Sequence, residues 1–314
     1  IISLVPKIIR NLSKYRDSDV SRDCCHELLI DILPEKSFWN PIHYNLTLAL
    51  PTSSILTKSQ ETLFEFSTPL KRADPYERHD FNDLRVYCID SEDAHEIDDG
   101  ISIREHGNNK YTLYIHIADP TSLFSESGTS DSNGIEDQIL RVASKKCFTT
   151  YLPDYVAPML PKSYCKAADL GKNGQKTSTI TFSVVVIAPS KGPIEILKES
   201  FQIRLGMVSK FPKITYSIAD DLLKKAGTSN RDLLTVEQRE LQSLHSIAKA
   251  LREFRVKDMG AVVFGDDFNK GLVQVSRVDQ EISFEDREET SSVVLVTEMM
   301  ILANTLSGNF FHVN

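Results

Sequence analysis

The sequence lacks the cysteine patterns of disulfide-bonded and zinc-binding proteins. Its five cysteines are scattered, odd in number and without a C-x-x-C pair: Cys24, Cys25, Cys88, Cys147 and Cys165. Neither a disulfide framework nor a zinc site is therefore predicted, and a reducing compartment fits this usage best.

Long apolar runs and an excess of basic residues are also absent. The most apolar stretch, Val293 to Leu306, is short and carries Glu298 and Asn304, so it predicts a buried helix. The net charge of −8 excludes a protein coated in basic surface. It does not exclude a local basic groove that binds nucleic acid. No targeting peptide is visible, and because the sequence starts at Ile1 and stops at Asn314 we expect a portion of a longer protein.

An irregular first part, residues 1–82, precedes a more regular part, residues 83–314. The first part predicts a mainly helical accessory segment and linker, with amphipathic helices at Ile2–Leu12 and Asp23–Leu33. The second part predicts an α+β fold, with a mixed or antiparallel sheet and helices around it. Its predicted strands are Leu84–Ile89, Ile101–Arg104, Tyr111–Ala118, Ser178–Ala188 and Ile194–Leu205. Its predicted helices are Ile135–Phe148, Val236–Phe254 and Ser291–Phe310.

The clearest chemical signal is an acidic segment that reads CIDSEDAHEIDDGISI from Cys88 to Ile103. A predicted strand ends beside Asp90, and Glu96, Asp98 and Asp99 come directly before a second strand. Several carboxylates in so short a loop repel one another unless solvent or a cation compensates their charge. Oxygen ligands of this kind suit Mg²⁺ or Mn²⁺. On spacing alone, a metal site and a solvated acidic turn both remain open.

The order of the acids limits how they bind metal. In an extended segment Glu96 and Asp98 share one face while Asp99 points away, so a regular strand cannot direct all the acids to one ion. Either the loop coils, or the acids are divided between two metal ions. A third arrangement is that some acids ligate the ion directly and others only contact those ligands. Two ions about 3.5–4 Å apart are a known arrangement for phosphodiester cleavage. An EF-hand loop is excluded, because with Gly100 at the sixth position His95 would occupy the first, where Asp is needed.

The segment Asp90–Gly100 resembles the acidic signature of the ribonuclease II family. The catalytic (RNB) domain of that family has one Asp and then an Asp-x-Asp-Asp group in a single loop. Arg255–Phe264 is a further, weaker match, and the resemblance covers roughly Asp83 to the C-terminus. Three more stretches agree in the family's order: HIADPTSLF (His116–Phe124), TTYLPDYVAPMLP (Thr149–Pro161) and TEMMILAN (Thr297–Asn304).

The resemblance implies a processive hydrolytic exoribonuclease. Such an enzyme degrades single-stranded RNA from the 3′ end to nucleoside 5′-monophosphates, with Mg²⁺ or Mn²⁺ as cofactor. By the same resemblance, Asp90, Glu96, Asp98 and Asp99 are the metal-binding and catalytic group. Loss of Asp98 would stop the chemistry while leaving RNA binding intact.

The resemblance also implies RNA-binding residues. Tyr151 matches the family's aromatic that stacks on a base near the 3′ end, with Phe264 as its partner; core packing is the alternative for both. Glu298 falls where the family has an acid near the terminal ribose, where it could contact a 2′-hydroxyl. An acid inside an apolar helix otherwise needs a buried partner or a solvent-facing position. The family pattern requires neither His95 nor His116, and we expect His116 to be a hydrogen-bonded core residue.

The sequence departs from the family pattern at Glu96, where most members carry Asp. This leaves a second hypothesis, a catalytically decayed RNA-binding subunit. The chain also ends before the family's downstream arginine motif and C-terminal RNA-binding barrel, and its first part is more helical than the family's cold-shock barrels. Within the family it most resembles the fungal mitochondrial branch. That branch implies the ATP-dependent RNA helicase of the mitochondrial degradosome as partner and the mitochondrial matrix as location.

Overall fold

The computed structural model describes residues 72–92, 96–125, 135–151, 156–189, 192–228, 233–262, 271–276, 281–286 and 289–313, with Lys14 and Ala94. The chain divides into a smaller unit, Ile1–Glu65 with Ser132–Pro161, and a larger unit, Phe66–Asp131 with Lys162–Asn314. The expected helices Ile2–Leu12 and Asp23–Leu33, like His95 and Phe264, lie outside the described residues.

The described chain contains groups of consecutive strands separated by helices. The strands are β1 (His79–Asp80), β2 (Cys88–Asp90), β3 (Asp99–Glu105), β4 (Lys110–Ala118), β5 (Thr150–Tyr151), β6 (Val156–Ala157), β7 (Thr177–Ile187), β8 (Glu195–Val208), β9 (Lys213–Thr215), β10 (Gly271–Ser276) and β11 (Glu281–Asp286). The helices are α1 (Ile135–Lys146), α2 (Lys162–Ala168), α3 (Tyr216–Thr228), α4 (Val236–Lys257) and α5 (Ser291–Val313), with a short 3-10 helix at Pro120–Leu123.

A five-stranded mixed sheet is the framework of the larger unit, with the order β1-β8-β7-β4-β3. All neighbouring pairs are antiparallel except β1 and β8, which are parallel. β7 reads TSTITFSVVVI, and such β-branched residues pack well on a pleated, half-buried surface. The predicted α+β fold with a mixed sheet is confirmed.

The main core forms where α3, α4 and α5 supply apolar side chains to the same cluster as β3, β4 and β7. α4 begins with a capping box, in which Thr235 and Gln238 each accept a hydrogen bond from the other's backbone N–H. Burial of each Leu or Ile side chain stabilises the fold by at most about 1.5–3 kcal/mol. Five apolar residues of α4 are buried at helical spacing: Leu241, Leu244, Ile247, Ala248 and Leu251.

The last helix, α5, combines a membrane-like composition with core packing. Its segment Ser291–His312 is long and apolar enough to span a membrane by length and composition, with a mean hydropathy of 1.3. Five of its residues nevertheless belong to the main core: Leu295, Met299, Leu302, Ala303 and Leu306. The carboxylate of Asp220 on α3 also accepts the Ser292 N–H, at 2.9 Å, at the start of α5. The expectation of a helix that buries apolar residues is confirmed.

Some elements differ from the expected ones. β2 begins later than the predicted strand Leu84–Ile89. The Val86 N–H makes one hydrogen bond, to the Lys210 carbonyl, and Tyr87 forms an isolated bridge with Ile101. Neither residue is therefore part of a continuous strand. α2, α3 and β9 were not predicted, nor was the antiparallel pair β10–β11. In the smaller unit, α1 precedes the antiparallel pair β5–β6.

Candidate functional site

The acidic loop, residues 90–99, joins the last residue of β2 to the first residue of β3. The two strands meet at the bridge between Tyr87 and Ile101, whose N–H groups donate to each other's carbonyls at 2.8 and 3.0 Å. A Cβ at Gly100 would lie 2.4 Å from Cγ1 of Val86 and 3.0 Å from Sγ of Cys88. Glycine therefore permits the close approach of the two strands that carry Asp90 and Asp99.

Hydrogen bonds from outside the acidic loop fix its backbone at two consecutive residues. The Ile97 N–H donates to Oδ1 of Asp169 at 2.8 Å, and the Ile97 carbonyl accepts the Leu170 N–H at 2.9 Å. The Asp98 carbonyl accepts the Ala118 N–H at 2.7 Å. The side chain of Ile97 packs against the small core cluster that includes Leu170. The backbone between Glu96 and Asp99 is thus held in place without the use of their carboxylates.

The pKa values of Asp98 and Asp99 in the acidic loop are raised. Partial burial raises the pKa of Asp98 first, and the negative charges of Glu96, Asp99, Asp169 and Asp90 raise it further. Burial, followed by the charge of Asp90, likewise raises the pKa of Asp99. The charged forms of both groups are therefore disfavoured in the protein alone, and a bound cation would reverse that effect.

Glu96 lies beside the thiol of Cys165 on α2. Burial, the hydrogen bond with Glu96 and the charges of Glu96 and Asp98 raise the pKa of this thiol to about 12. The thiol is therefore protonated at neutral pH and is not available as a thiolate ligand. Among the described side chains beside Glu96, the groups that could ligate metal at neutral pH are oxygens.

The donor chemistry of the acidic loop fits Mg²⁺ or Mn²⁺, because carboxylate oxygens are the ligands that these hard ions prefer. Within the described parts of the chain, no three His, Cys, Asp or Glu side chains are grouped so that they could hold one ion. The described carboxylates thus share an electrostatic environment without forming a closed ligand cage. Ligation of one ion by three of them requires some of these side chains to rotate on the fixed backbone.

His116 is a hydrogen-bonded core residue, as predicted. Its ring is fully buried on β4, with Nε2 3.0 Å from the Ser102 hydroxyl and Nδ1 2.9 Å from the Thr181 hydroxyl. Burial lowers the pKa of His116 to about 3, so the ring is neutral at physiological pH. A ring enclosed in this way does not reach a substrate as general base.

A buried ion triad anchors the end of β4. The Arg78 guanidinium bonds to Asp74 and lies 2.6 Å from Oδ2 of Asp119, and it also donates to the Thr179 carbonyl at 3.2 Å. The side chains of Arg78, Asp74 and Asp119 are only 1%, 6% and 2% exposed. Asp119 directly follows Ala118, whose N–H holds the Asp98 carbonyl. The triad therefore stabilises a strand end that contacts the acidic loop.

The expected RNA-binding residues fall in different parts of the chain. Tyr151 is in β5 of the smaller unit, where it pairs with Val156. Glu298 is on α5, 3% exposed, and its carboxylate accepts two hydrogen bonds from Arg255, at 2.6 and 3.2 Å. Arg255 is thus the buried partner that an acid in an apolar helix requires. Phe264 lies outside the described residues.

Two important residues were missed from the sequence, Asp169 and Arg78. Asp169 stands in KAADLGK, which carries no recognisable acidic motif, and it reaches the acidic loop only through the fold. Asp119, the ion-pair partner of Arg78, could have been identified from the sequence, because it lies in the HIADPTSLF match. An Asp before Pro at the start of a helix is typical of an N-cap, and Asp119 does accept the Thr121 N–H.

Comparison with protein-family models matches residues 78–314 to the RNB domain. The mitochondrial exoribonuclease II of Saccharomyces cerevisiae is 50% identical over 327 aligned positions, which cover 100% of this chain and 33% of that protein. The chain spans about a third of the length of the curated relatives it matches.

Solved structures agree with the family match. A crystal structure of an active-site mutant of the Dss1 exoribonuclease from Candida glabrata has a TM-score of 0.77 and 44% sequence identity, covering 99% of this chain and 38% of that chain. Yeast Ssd1, described as a pseudonuclease, has a TM-score of 0.51 and 15% identity, covering 89% of this chain and 30% of that chain. The second likeness concerns the fold alone.

Proposed function

The chain belongs to the RNB-domain family, and on that premise we propose that the full-length protein is a processive hydrolytic exoribonuclease. It degrades single-stranded RNA from the 3′ end and releases nucleoside 5′-monophosphates. The observation that carries this proposal is the acidic loop. Burial, followed by the charges of neighbouring carboxylates, raises the pKa of Asp98 and Asp99, on a backbone fixed from outside the loop.

We assign Asp90, Glu96, Asp98 and Asp99 as the metal-binding and catalytic carboxylates, with Mg²⁺ as the ion and Mn²⁺ as the alternative. Ions bound there supply an activated water and positive charge for the phosphate that is cleaved. The protein's own contribution is a backbone that is fixed before any ion arrives. Only the carboxylate side chains then have to rotate when an ion binds.

Three further residues are assigned to RNA. Tyr151 and Phe264 stack on bases near the 3′ end, which suits a nuclease that tolerates any sequence because every base has a π-face. Glu298 contacts the terminal ribose, and its pairing with Arg255 fixes the direction of the carboxylate. From the likeness to a mitochondrial relative, we infer that the protein works in the mitochondrial matrix with an ATP-dependent RNA helicase.

The test is a degradation assay of the full-length protein with uniformly labelled single-stranded RNA and Mg²⁺. We expect 5′-monophosphates and one short end product. Asp98→Asn should reduce the rate by about 100-fold or more and leave RNA affinity equal or higher, since it removes a negative charge near the phosphates. Asp83→Asn is a matched control, because Asp83 is exposed and paired with Arg104. Parallel loss of affinity and activity in Asp98→Asn would contradict the catalytic role.

Metal binding can be measured without RNA. A ligand that binds only the folded state raises the melting temperature, so Mg²⁺ should raise it for the wild type and less for Asp98→Asn. Activity should vanish in excess chelator and be poor with Ca²⁺, whose longer bonds misplace the attacking water. Full activity in chelator would exclude the metal-dependent mechanism.

The second candidate is a decayed subunit that binds RNA without cleaving it. The observation in its favour is Glu96, which stands where most family members carry Asp. The same degradation assay separates the two, because a decayed subunit binds the labelled RNA and leaves it intact. We prefer the active enzyme, since Asp90, Asp98 and Asp99 are all present.

A further inference from the structure

Asp169, which no sequence motif identified, lies at the end of a well-anchored helix. Its N–H donates to the Cys165 carbonyl at 2.9 Å and closes the last turn of α2. Within the same helix Tyr164 is buried and stacks on Phe124, with ring centroids 4.7 Å apart and an interplanar angle of 17°. The position of the Asp169 carboxylate is therefore set by a packed element rather than by a free loop.

Asp169 and its two successors contact one residue of the acidic loop in three ways. Oδ1 of Asp169 accepts the Ile97 N–H at 2.8 Å, and the Leu170 N–H donates to the Ile97 carbonyl at 2.9 Å. A Cβ on Gly171, whose φ is +83°, would lie 3.2 Å from Cδ1 of Ile97. Both polar backbone groups of Ile97 are thus bound, and its side chain is closely packed.

The surroundings of the Asp169 carboxylate include groups that oppose its negative charge and groups that bind it. It lies at the C-terminal end of a helix, where a negative charge opposes the helix dipole. It also adds to the negative charges that act on Asp98. Lys172 lies on the other side, with Nζ 3.6 Å from Oδ2. The atom of Asp169 that contacts the acidic loop is the acceptor oxygen Oδ1, which binds the Ile97 N–H.

We propose that Asp169 is a positioning residue, which fixes the acidic loop through the backbone N–H of Ile97 so that Glu96 and Asp98 face the scissile phosphate. This inference rests on the proposed nuclease function. Asp169 is neither a metal ligand nor a catalytic residue. Its effect passes through the geometry of its neighbours, because small displacements of catalytic groups strongly reduce rates.

Two substitutions in the full-length protein separate the acceptor oxygen from the charge. Asp169→Asn keeps an oxygen in the same place and removes the charge, whereas Asp169→Glu keeps the charge and displaces the oxygen by one methylene. We expect kcat for Asp169→Asn within about threefold of the wild type. Asp169→Glu should lose about tenfold or more in kcat, with KM for RNA changed less than about threefold. Lys172→Gln, which removes only the ion-pair partner, should leave kcat unchanged.

Hydrogen exchange at the Ile97 amide gives a readout that does not depend on RNA cleavage. The amide should be protected in the wild type and in Asp169→Asn, and should exchange faster in Asp169→Glu. The proposal is overturned if Asp169→Glu is active while Asp169→Asn is impaired. It is also overturned if the wild type is active and both variants have the same kcat as the wild type. It is also overturned if exchange at Ile97 is equal in all three. An inactive wild type refutes the nuclease function instead, and exchange at Ile97 then decides whether Asp169 fixes the loop.

Discussion

Replacement of Arg78 by Met is the most informative perturbation of stability in the larger unit. Met keeps much of the volume of the aliphatic stem but removes the only described cation within bonding distance of Asp119. Asp74 loses its buried partner as well and keeps only the exposed Arg72, whose Nε lies 3.3 Å from Oδ1. The Thr179 carbonyl loses a donor at 3.2 Å. Because Asp74 and Asp119 are nearly inaccessible to water, solvent does not replace the lost contacts.

The expected cost follows from this burial. Removing one partner of a buried ion pair typically costs about 3–5 kcal/mol, since it leaves an uncompensated buried charge. In domains of 150–250 residues each kcal/mol corresponds to about 2–4 °C, so Tm should fall by roughly 6–20 °C. Arg104→Met is the matched control, because Arg104 and Asp83 form an exposed pair, with side chains 42% and 62% accessible. Exposed pairs contribute only about 0–1 kcal/mol.

Urea unfolding of both variants in the full-length protein provides the measurement. The midpoint should fall clearly for Arg78→Met and hardly for Arg104→Met, with the slope m unchanged in both, since the surface exposed on unfolding is the same. A loss below about 1 kcal/mol for Arg78→Met would refute the reasoning, because the buried charge of Asp119 would then be compensated without Arg78. A changed slope would mean that the compactness of the folded or unfolded state has changed, or that the unfolding is not two-state.

Three other predictions concern single residues. If Glu96 is a working ligand, Glu96→Gln and Glu96→Asp should both slow cleavage sharply and shift the Mg²⁺ midpoint, whereas a wild-type midpoint and rate in Glu96→Gln would remove it from the site. Tyr151→Ala should lengthen the final undegraded product, because each stacked base contributes about 1–3 kcal/mol; unchanged product length with a lower Tm would mark a core residue. Burial lowers the pKa of His116 to about 3, so between pH 6.5 and 3 the unfolded chain binds more protons. Stability should therefore fall with falling pH by up to about 1.4 kcal/mol per unit. That slope should be lost in His116→Gln and kept in the exposed-site control His106→Gln.

Sequence reasoning succeeded where a pattern is local. The strand β7 and the helix α4 show their periodicity within one segment, and the acids of the acidic loop are close in sequence. α3 also had a local signal, since Ala219, Leu223 and Ala226 are buried at helical spacing. It went unrecognised in a segment rich in charged residues.

What the sequence could not supply were contacts between distant segments. The bond from Ile97 to Asp169 joins residues 72 positions apart, and neither residue type is unusual where it stands. β2 is too short to show a pattern of its own, and it is a strand because β9 lies parallel to it. The ends of β2 and the anchoring of the acidic loop are therefore properties of the tertiary structure.

The pairing of β2 with β9 also determines when the acidic loop can assemble during synthesis. Asp90 lies opposite Thr215, and the bonds to Ile97 come from Asp169 and Leu170. A ribosome that has just finished the acidic segment must therefore add more than a hundred residues before β9 exists. At about 5–20 residues per second, the nascent chain exposes an unpaired cluster of carboxylates for several seconds or longer. The loop can acquire its native geometry only after that delay, so a chain interrupted before β9 would carry the acids without their arrangement.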